Sequence, residues 1–453
     1  MQRIMVPENV GLILKELEQH GFEAYIVGGC VRDSVMGHAP KDWDITTSAK
    51  PQDVKKIFRN TYDTGIEHGT VSVRLGTETY EVTTFRVDGQ YTDHRRPDSV
   101  QFTQRLAEDL KRRDFTMNAM AWHPRTGLVD LFGGCEDIRA GRIRCVGDPM
   151  ERFEEDALRM LRAYRFAARF GFLLDQRTEL AISRKAPLLA NVSQERIREE
   201  LDQLICSEHP GLLRQVYKSG LLQQILPEWQ ACDETPQHTP YHLYTVGEHL
   251  IRTAEAAPCD RVVRWAALLH DIGKPACRTT DAQGTDHFKG HDEVSARMAD
   301  TIMRRLKFDN ETRHAVVTAV ACHDNAFPED EREMRILLNR LPDGFYPYLQ
   351  ALQRADAAAR NPQYLQQSLD QLDRAEELYR KIIREGHCYK LADLAVTGND
   401  LIRLGFRPGR RIGQILQELL RQVLDHPELN QRELLLQVAE ALPRQEDPAA
   451  GDI

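Results

Sequence analysis

Two carboxylates that follow a double glycine are the residues of this chain best suited to chemistry. Asp42 and Asp44 alternate along a predicted strand, so both side chains would face the same side of it. Carboxylates this close repel each other unless cations lie between them, and their hard oxygen atoms suit Mg²⁺. Glu81, on a neighbouring predicted strand, would add a third carboxylate. The pattern predicts a two-metal site for phosphoryl transfer.

The double glycine is predicted to receive the anionic end of a substrate. Gly28 and Gly29 let a backbone approach a phosphate closely, and the N-terminus of the helix that follows favours an anion. Arg32 in that helix would neutralise a triphosphate oxygen. An isolated Asp-x-Asp is usually a pair of solvated acids on a strand. The ordered combination of a double glycine, Asp-x-Asp and an acid on the next strand is more specific.

The composition limits the classes of protein to which the chain can belong. It has 453 residues, a formal net charge of −9 and a mean hydropathy of −0.51. No run of about 18 apolar residues is present, so we expect no transmembrane helix, and the first residues lack the pattern of a signal peptide. The nine cysteines are scattered and never spaced Cys-x-x-Cys, which favours a reducing, cytoplasmic location. The negative net charge argues against a surface that is basic overall, but it does not exclude a local basic groove.

The periodicity predicts a mixed first part and a helical remainder, an α+β class. An amphipathic helix is expected over 8–20, and a polar loop over 86–99. One long helix is expected over 150–170, and further helices rich in histidine over 243–345. The predicted strands are 24–27, 42–47, 70–75 and 79–85.

Arginines recur in two places near these elements. In the long predicted helix, Glu155 and Asp156 precede four arginines spaced by three or four residues. This spacing places the arginines along one side of the helix. They are Arg159, Arg162, Arg165 and Arg169. The alternative interpretation is a salt-bridged surface helix. The second place is Lys111–Asp114, which read alone would be a solvated basic cluster.

These motifs together resemble the nucleotidyltransferases of the polymerase-beta superfamily. The chain is most similar to bacterial class II tRNA nucleotidyltransferases (CCA-adding) and poly(A) polymerases, over about residues 24–225 and again in a tail segment, 394–416. The resemblance implies a polymerase-beta-like head, a mixed sheet with helices, followed by mostly helical domains. The matching segments are GGCVRDSVMG, KDWDITTSA, HGTVSV, YEVTTFR, AEDLKRRDFTMNAMA and EEDALRMLRAYRFAARFGF.

The resemblance implies roles for the basic residues. Arg113 would contact the bound nucleotide, and Asp156 with Arg159 would select its base. Cytosine and adenine both present an amino donor beside a ring-nitrogen acceptor, which a carboxylate and a guanidinium can match. Uracil and guanine present the opposite order and would leave these partners unpaired. Arg162 and Arg165 are expected to hold phosphates.

Histidines in the helical half form a second candidate site. The segment LLHDIGK, 268–274, resembles the HD phosphohydrolase superfamily, whose order His, His-Asp, Asp maps to His249, His270, Asp271 and Asp324. His291 and His323 could complete a second metal, and imidazole with carboxylate suits a divalent transition metal. Lys274 could hold a substrate phosphate. The remaining histidines of this half are interpreted as satisfied or surface residues: His238, His242, His287 and His314.

The expected function is template-independent addition of CCA to tRNA 3′ ends from CTP and ATP, with Mg²⁺ at the transferase site and a metal-dependent HD phosphohydrolase activity. The expected partners are tRNA, CTP and ATP, with neither DNA nor a membrane. The alternatives are a poly(A) polymerase, a CC-adding or A-adding enzyme, and a non-catalytic RNA-binding protein. Residues 65–70 resemble CCA-adding enzymes rather than poly(A) polymerases, and Arg86 with Asp88 supplies the loop motif that CC-adding enzymes lack.

We expect the chain to form four domains with different functions. The predicted domains are 1–147 for the nucleotidyltransferase head, 148–232 for nucleotide selection and RNA binding, 233–345 for the HD metal site and 346–453 for tRNA binding.

Overall fold

A computed structural model describes residues 4–89 and 99–442. The chain forms two compact units, which we describe separately. One comprises Met1–Thr235 with Asp300–Arg313, and the other comprises Pro236–Ala299 with His314–Ile453. The four functional segments expected from the sequence stay a prediction.

A seven-stranded mixed sheet forms the head of the first unit. Its strand order is β3-β4-β5-β2-β1-β8-β9. β1 pairs antiparallel with β2 and β8, whereas β2 and β5 are parallel. The seven strands are β1 (Ala24–Val27), β2 (Asp44–Thr47), β3 (Thr61–Gly65), β4 (Thr70–Leu75), β5 (Glu78–Thr84), β8 (Met120–His123) and β9 (Gly127–Asp130). A separate two-stranded sheet pairs β6 (Arg86–Asp88) with β7 (Val100–Phe102).

One face of this sheet is buried because its strands carry β-branched apolar residues at alternate positions. Ile26, Ile45, Val71 and Val82 are fully buried there. They belong to one core cluster with the apolar side of α1 (Glu8–Gln19). The buried face therefore fixes the register, and this register sets Asp44 directly beside Glu81 on adjacent strands.

Helices make up most of the rest of the first unit, so the α+β class is confirmed. They are α1, α2 (Gly29–Val35), α3 (Pro51–Ile57), α4 (Leu106–Lys111), α5 (Gly134–Arg139), α6 (Pro149–Glu155), α7 (Leu158–Phe170), α8 (Gln176–Lys185), α9 (Gln194–Ile205), α10 (Leu213–Lys218), α11 (Leu221–Ile225) and α12 (Trp229–Glu234). Two short strands, β10 (Arg142–Ile143) and β11 (Leu173–Leu174), pair in parallel between them.

Three local expectations were wrong. Asp42 precedes β2 and does not lie on the strand. The polar loop at 86–99 begins with β6, which pairs with β7, and 90–98 lies outside the described residues. The single helix expected over 150–170 is two helices, because the backbone of Asp156 is extended and ends α6.

The second unit is helical. Its helices are α13 (Val246–Ala256), α14 (Arg261–Leu269), α15 (Lys274–Cys277), α16 (His291–Arg305), α17 (Asn310–Cys322), α18 (Glu331–Arg340), α19 (Tyr346–Ala359), α20 (Leu365–Glu385), α21 (Gly398–Arg403), α22 (Arg410–Asp425) and α23 (Arg432–Ala441). The end of α16 and the start of α17 fall within Asp300–Arg313 and so are counted with the first unit. Its one hairpin in the described chain joins β12 (Thr279–Thr280) to β13 (Asp286–His287). None of the described helices is long and apolar enough to cross a membrane.

Candidate active site

A cavity of about 780 Å³ in the head is lined by the predicted catalytic acids. Asp44 begins β2, Glu81 lies beside it on β5, and Asp42 comes from the segment just before β2. The structure thus brings all three predicted carboxylates to one cavity. The parallel pairing of β2 with β5 is what places two of them side by side.

These carboxylates influence one another electrostatically. Desolvation on burial raises the pKa of Glu81, and the charges of Asp44 and Asp42 raise it further. Burial also raises the pKa of Asp44, while Arg113 acts in the opposite direction and Asp42 in the same one. Acids that raise each other's pKa are stabilised by a cation among them, and three carboxylates supply the oxygen ligands that Mg²⁺ takes.

Gly28 is required where the double glycine meets these acids. Its φ is 81°, and a Cβ atom there would lie 2.9 Å from Arg113 Nη1 and 3.9 Å from Asp44 Oδ2. The positive φ is what disfavours any other residue here, since Arg113 Nη1 is the end of a flexible side chain that can move away from a Cβ atom. The close approach also sets Arg113 against the acids of the cavity.

A fully buried carboxylate holds Arg113 in place. Asp109 lies 3.5 Å from Arg113 Nη2 and 2.9 Å from Arg112 Nη2, and it also accepts a hydrogen bond from the Thr46 hydroxyl on β2, at 3.2 Å. The basic cluster is therefore anchored to the catalytic strand rather than free in solvent. Both oxygen atoms of Asp109 are used in doing so.

Arg32, predicted to neutralise a phosphate, is instead buried and braced. It is 4% exposed, donates to Asp33 at 2.8 Å and to Asn118 at 2.6 Å, and lies over the rings of Phe166 and Phe170. The phosphate contact of Arg32 stays a prediction.

The predicted base-selecting pair lies at the break between α6 and α7. Asp156 accepts a hydrogen bond from Leu158 N at 3.1 Å and pairs with Arg196 at 2.9 Å. Arg159 donates to Glu155 at 2.6 Å and to the carbonyl of Arg112 at 3.2 Å. The second contact links the pair to the basic cluster beside the cavity. Arg196, 40 residues away in sequence, was missed because spacing along one helix does not reveal it.

Arg162 and Arg165, expected to hold phosphates, form a partly buried and a buried ion pair, respectively, in this structure. Arg162 donates two hydrogen bonds to Asp114, at 2.7 and 3.0 Å. Arg165 pairs with Glu200 at 2.5 Å. Burial alone would raise the pKa of Asp114, but Arg162 and Asn118 lower it to about 2. These pairs fasten the long arginine stripe to α9 and to the basic cluster, which is the salt-bridged alternative considered for this helix.

The predicted loop motif adjoins the same region. Arg86 Nε lies 3.1 Å from Asp88, which in turn lies 3.7 Å from Arg112. A cavity of about 310 Å³ is lined by Asp88, Arg112 and Glu155 among others. The start of the loop is therefore close to the basic cluster and to the acid that pairs with Arg159.

The second unit brings five of the six predicted HD residues into one buried cluster. His249 Nε2 lies 3.3 Å from His270 Nε2, and both face Asp271 Oδ2, at 3.4 and 3.3 Å. His291 and His323 face the other oxygen, Asp271 Oδ1, at 3.1 and 3.4 Å. Asp271 thus stands between two pairs of imidazoles.

Three of these histidines are oriented by backbone carbonyls. Nδ1 of His270, His291 and His323 lies 2.7–2.9 Å from a carbonyl oxygen three residues earlier in the chain. A proton on Nδ1 leaves Nε2 as an acceptor turned to the cluster, the tautomer that metal-bound histidines use. The donor set fits divalent transition metals.

Asp356 occupies the place expected for Asp324. It lies 3.1 Å from His249 Nε2, is 4% exposed, and is held by Arg360 through two hydrogen bonds. Asp324 is exposed, and among the described residues Asp356, with His249 and His270, belongs to a group that could hold a metal ion. The motif order His, His-Asp, Asp fits either aspartate, so sequence alone did not separate them.

Two further side chains reach this cluster. Lys274 Nζ lies 2.7 Å from Asp271 Oδ2 and 3.4 Å from His242 Nε2, and donates to Gln237 at 2.8 Å. Burial and Lys274 lower the pKa of His242 to about 2, so its ring is neutral. His242, interpreted from sequence as an ordinary satisfied histidine, therefore lies beside the candidate metal site.

Comparison with known proteins agrees with this geometry. Over 435 residues the chain is 35% identical to the CCA-adding enzyme of Lactiplantibacillus plantarum, covering 94% of each chain. The CCA-adding enzyme of Levilactobacillus brevis is also 35% identical, over 94% of this chain and 96% of its own. The chain belongs to the family of CCA-adding enzymes. With the CCA-adding enzyme of Lactobacillus helveticus the identity is 49% over 228 residues, a stretch that spans 57% of that enzyme.

A solved structure matches the fold of these CCA-adding enzymes over nearly the whole chain. The Bacillus stearothermophilus CCA-adding enzyme in complex with CTP superposes with a TM-score of 0.70 and 31% identity, covering 96% of this chain and 98% of that one. Family models match as the poly(A) polymerase head domain over 24–144, a probable RNA- and SrmB-binding site of polymerase A over 171–232, and a putative tRNA nucleotidyltransferase domain 2 over 291–439. The predicted resemblance to CCA-adding enzymes is confirmed, and the family implies use of divalent metal ions. The resemblance of 268–274 to the HD phosphohydrolase superfamily stays a prediction.

Proposed function

We propose that this protein adds CCA to the 3′ end of tRNA, using CTP and ATP without a nucleic-acid template. The observation that carries the proposal is the cavity where Asp42, Asp44 and Glu81 meet beside Arg113. The family supports it, since the similar proteins are named CCA-adding enzymes and one was solved with CTP. The expected cytoplasmic location and the four-part division of the chain belong to this proposal.

The residues of the cavity fit nucleotidyl transfer. Asp42 and Asp44 would hold Mg²⁺, which when bound neutralises charge on the phosphates and lowers the pKa of the attacking hydroxyl. The 3′ hydroxyl of the RNA attacks the α-phosphate of the nucleotide, a new phosphodiester bond forms, and pyrophosphate leaves. Arg113 is positioned by Asp109 to contact the nucleotide. Burial and the neighbouring carboxylates raise the pKa of Glu81, and these clustered acids favour the binding of cations in the cavity.

Base selection is assigned to the break between α6 and α7. A carboxylate oxygen of Asp156 would accept from the amino group of cytosine or adenine, and Arg159 would donate to the ring nitrogen. In the structure Asp156 pairs with Arg196 and Arg159 pairs with Glu155, at 2.9 and 2.6 Å. Arg162 and Arg165 are proposed to hold phosphates of the substrates, and their ion pairs with Asp114 and Glu200 position them beside this region.

The decisive experiment supplies tRNA transcripts lacking the terminal CCA with each nucleotide alone and with all together. CTP alone should add two residues, and CTP with ATP should add three and then stop. Repeated addition from ATP alone would identify a poly(A) polymerase, and arrest after two residues with both nucleotides would identify a CC-adding enzyme. Absence of pyrophosphate release in every reaction would leave an RNA-binding protein.

We also propose that the second unit is a metal-dependent phosphohydrolase that acts on RNA ends. The observation that favours it is the position of Asp271 between two imidazole pairs, with Asp356 facing the first pair. His249, His270, Asp271 and Asp356 would hold one transition-metal ion. His291, His323 and the second oxygen of Asp271 would hold another. Metal ions bound in this way supply a hydroxide nucleophile near neutral pH.

The assignment of Asp356 can be tested against Asp324 directly. We expect Asp356→Asn to lower the transition-metal content per chain by about one equivalent, because the substitution removes a metal ligand. Loss of a residue that only hydrogen-bonds to a ligand already weakens metal affinity about 10–100-fold. Asp324→Asn should retain wild-type metal content. Elemental analysis after dialysis gives the comparison, and CCA addition by both variants shows that the chain is folded. Metal loss from the Asp324 variant only would reverse the assignment.

A further inference from the structure

The strand order of the head sheet gives the candidate active site two different sides. The strands β5, β2 and β1 are adjacent in that order, so Asp44 at the start of β2 has Glu81 of β5 on one side and the end of β1 on the other. Gly28 follows β1, and a Cβ atom there would lie 3.9 Å from Asp44 Oδ2 and 2.9 Å from Arg113 Nη1. Asp44 therefore separates a side that contains Arg113 from a side that contains Glu81.

The cavity of about 780 Å³ extends from Asp44 on the Glu81 side. Its walls are formed by the segments 40–44 and 78–81, with Pro7 and Ser72. Gly28 and Arg113, although both belong to the described chain, are not among the residues that line it. The space therefore lies on the far side of the catalytic acids from Arg113.

Nucleotidyl transfer needs a reactant on each side of these acids. The attacking oxygen and the leaving oxygen lie roughly in line, on opposite sides of the α-phosphate. The leaving pyrophosphate carries most of the negative charge of the nucleotide, and the guanidinium of Arg113 can neutralise it on the Gly28 side. The attacking hydroxyl must then approach from the Glu81 side, where the cavity lies.

The charges of the cavity suit an RNA end better than a triphosphate. Four carboxylates line it (Asp42, Asp44, Glu78 and Glu81), whereas Lys41 is the one cation among its described lining residues. This excess of acids repels a group that carries several negative charges. The last nucleotide of an RNA brings only one phosphodiester charge, which the exposed Lys41 can pair with.

Aromatic side chains form another part of the wall. Trp43 packs against the core cluster of the sheet, remains half-buried and lines the cavity. Tyr80 is 7% exposed, and its hydroxyl donates to Glu78, which also accepts from Asn9 Nδ2 at 3.0 Å. Tyr80 is thus fixed in place, whereas the accessible part of the Trp43 ring offers a surface on which a nucleotide base can stack.

We propose that this cavity is the acceptor site for the 3′-terminal nucleotide of the RNA, with Trp43 stacking on its base and Lys41 binding the phosphate on its 5′ side. The 3′ hydroxyl then faces the acids, and the incoming nucleotide lies on the side of Gly28 and Arg113. The inference rests on the proposed nucleotidyl transfer and goes further, because it assigns a site to the second substrate and roles to two residues that are not metal ligands.

The test uses the full-length protein with Mg²⁺, CTP and a tRNA that lacks CCA. Trp43→Leu keeps the apolar packing and removes the stacking surface, whereas Trp43→Phe restores a ring. Lys41→Gln removes the charge, and Lys41→Arg restores it. The matched controls are Tyr62→Leu, at an exposed aromatic residue on β3, and Lys50→Gln, at an exposed lysine after β2. Neither control residue lines the cavity.

The inference predicts a specific kinetic pattern. Trp43→Leu should lower kcat/KM for tRNA about tenfold, the effect typical of one lost stack between a base and an aromatic ring, with the KM for CTP unchanged. Trp43→Phe should stay within about threefold of the wild type. Lys41→Gln should reduce the slope of log kcat/KM for tRNA against log salt by about 0.7, the contribution of one single-strand phosphate, and Lys41→Arg should restore it. Both controls should match the wild type.

The position of the RNA end is measured separately by fluorescence. When the last nucleotide of the same tRNA is replaced by 2-aminopurine, binding to the wild type without CTP should quench its emission, because the base stacks on the Trp43 ring. Quenching should be lost in Trp43→Leu and retained in Tyr62→Leu. Filter binding should show nearly equal affinity of all these proteins for the whole tRNA, since backbone contacts are spread over many residues.

The remaining outcomes separate this inference from the function on which it rests. A higher KM for CTP in Trp43→Leu, with kcat/KM for tRNA unchanged, would place the incoming nucleotide in the cavity and overturn the acceptor site. Quenching that persists in Trp43→Leu would overturn the role of Trp43, and an unchanged salt slope in Lys41→Gln would overturn that of Lys41, whose exposed position lets its variants fold. A wild type that adds no nucleotide would overturn the proposed function, and the fluorescence would still decide whether the RNA end lies in the cavity.

Discussion

Asp44→Asn is expected to lower the kcat of CCA addition by at least about 10³-fold, because a bound metal ion supplies several kcal/mol of transition-state stabilisation. The substitution keeps the size of the side chain and its place at the start of β2, so the sheet should be retained. It removes one of the carboxylate charges that raise the pKa of Glu81. We expect the loss in kcat rather than in tRNA affinity, because contacts to the RNA backbone are spread over many residues.

Asp63→Asn is the matched control for this prediction. Asp63 lies on the edge strand β3 of the same sheet and pairs with Lys55 at the surface. Its variant should retain full activity, since exposed pairs contribute little to stability. Rates are measured at saturating Mg²⁺ on a tRNA lacking CCA, and circular dichroism shows that both variants fold. An Asp44→Asn enzyme within tenfold of the wild type would exclude this carboxylate as a metal ligand.

Local pattern was enough to predict the catalytic acids, because their proximity follows from neighbouring elements. Asp44 begins a strand, Glu81 lies on another, and a buried apolar face leaves these strands one register in which the two acids pair. The same reasoning placed Asp42 on the strand, where it does not lie. Alternation predicts which face a residue takes but not where the strand begins.

Long-range partners set the features that sequence did not reveal. The break at Asp156 has no glycine or proline to signal it, and the acid is held by Arg196 from α9. The ion pair of Arg162 with Asp114 was not foreseen, because Asp114 is 48 residues distant in the sequence. Asp356 could not be chosen over another acid, since a motif order sets no spacing. Each case depends on contacts between elements that helical periodicity does not report.

The second large effect concerns the choice of nucleotide. We expect Asp156→Asn to lower kcat/KM for both CTP and ATP about 100-fold, because one carboxylate would serve the amino group of either base and its replacement leaves a buried partner mismatched. Arg159→Ala should do the same by removing the donor to the ring nitrogen. Discrimination against UTP and GTP should fall in both variants, since the unpaired groups that reject them are gone.

The asparagine variant is chosen because Asp156 also has a structural contact. Its Oδ1 accepts the backbone N–H of Leu158, and an asparagine oxygen can keep that bond at the start of α7. Thermal unfolding within a few degrees of the wild type would show that the helix break is retained. Glu154→Gln is the control on α6, because Glu154 is half exposed and pairs with Lys185 away from the proposed base contact.

Selectivity should be measured as kcat/KM for all four nucleotides, on a tRNA ending in CC and on one lacking CCA. If Asp156 and Arg159 select the base, both variants will have a lower kcat/KM for CTP and ATP on both tRNA substrates, and their affinity for tRNA will be nearly unchanged. Unaltered preference for C and A in either variant would contradict the assignment. The pairs Asp156–Arg196 and Arg159–Glu155 would then serve only to hold α6, α7 and α9 together beside the basic cluster.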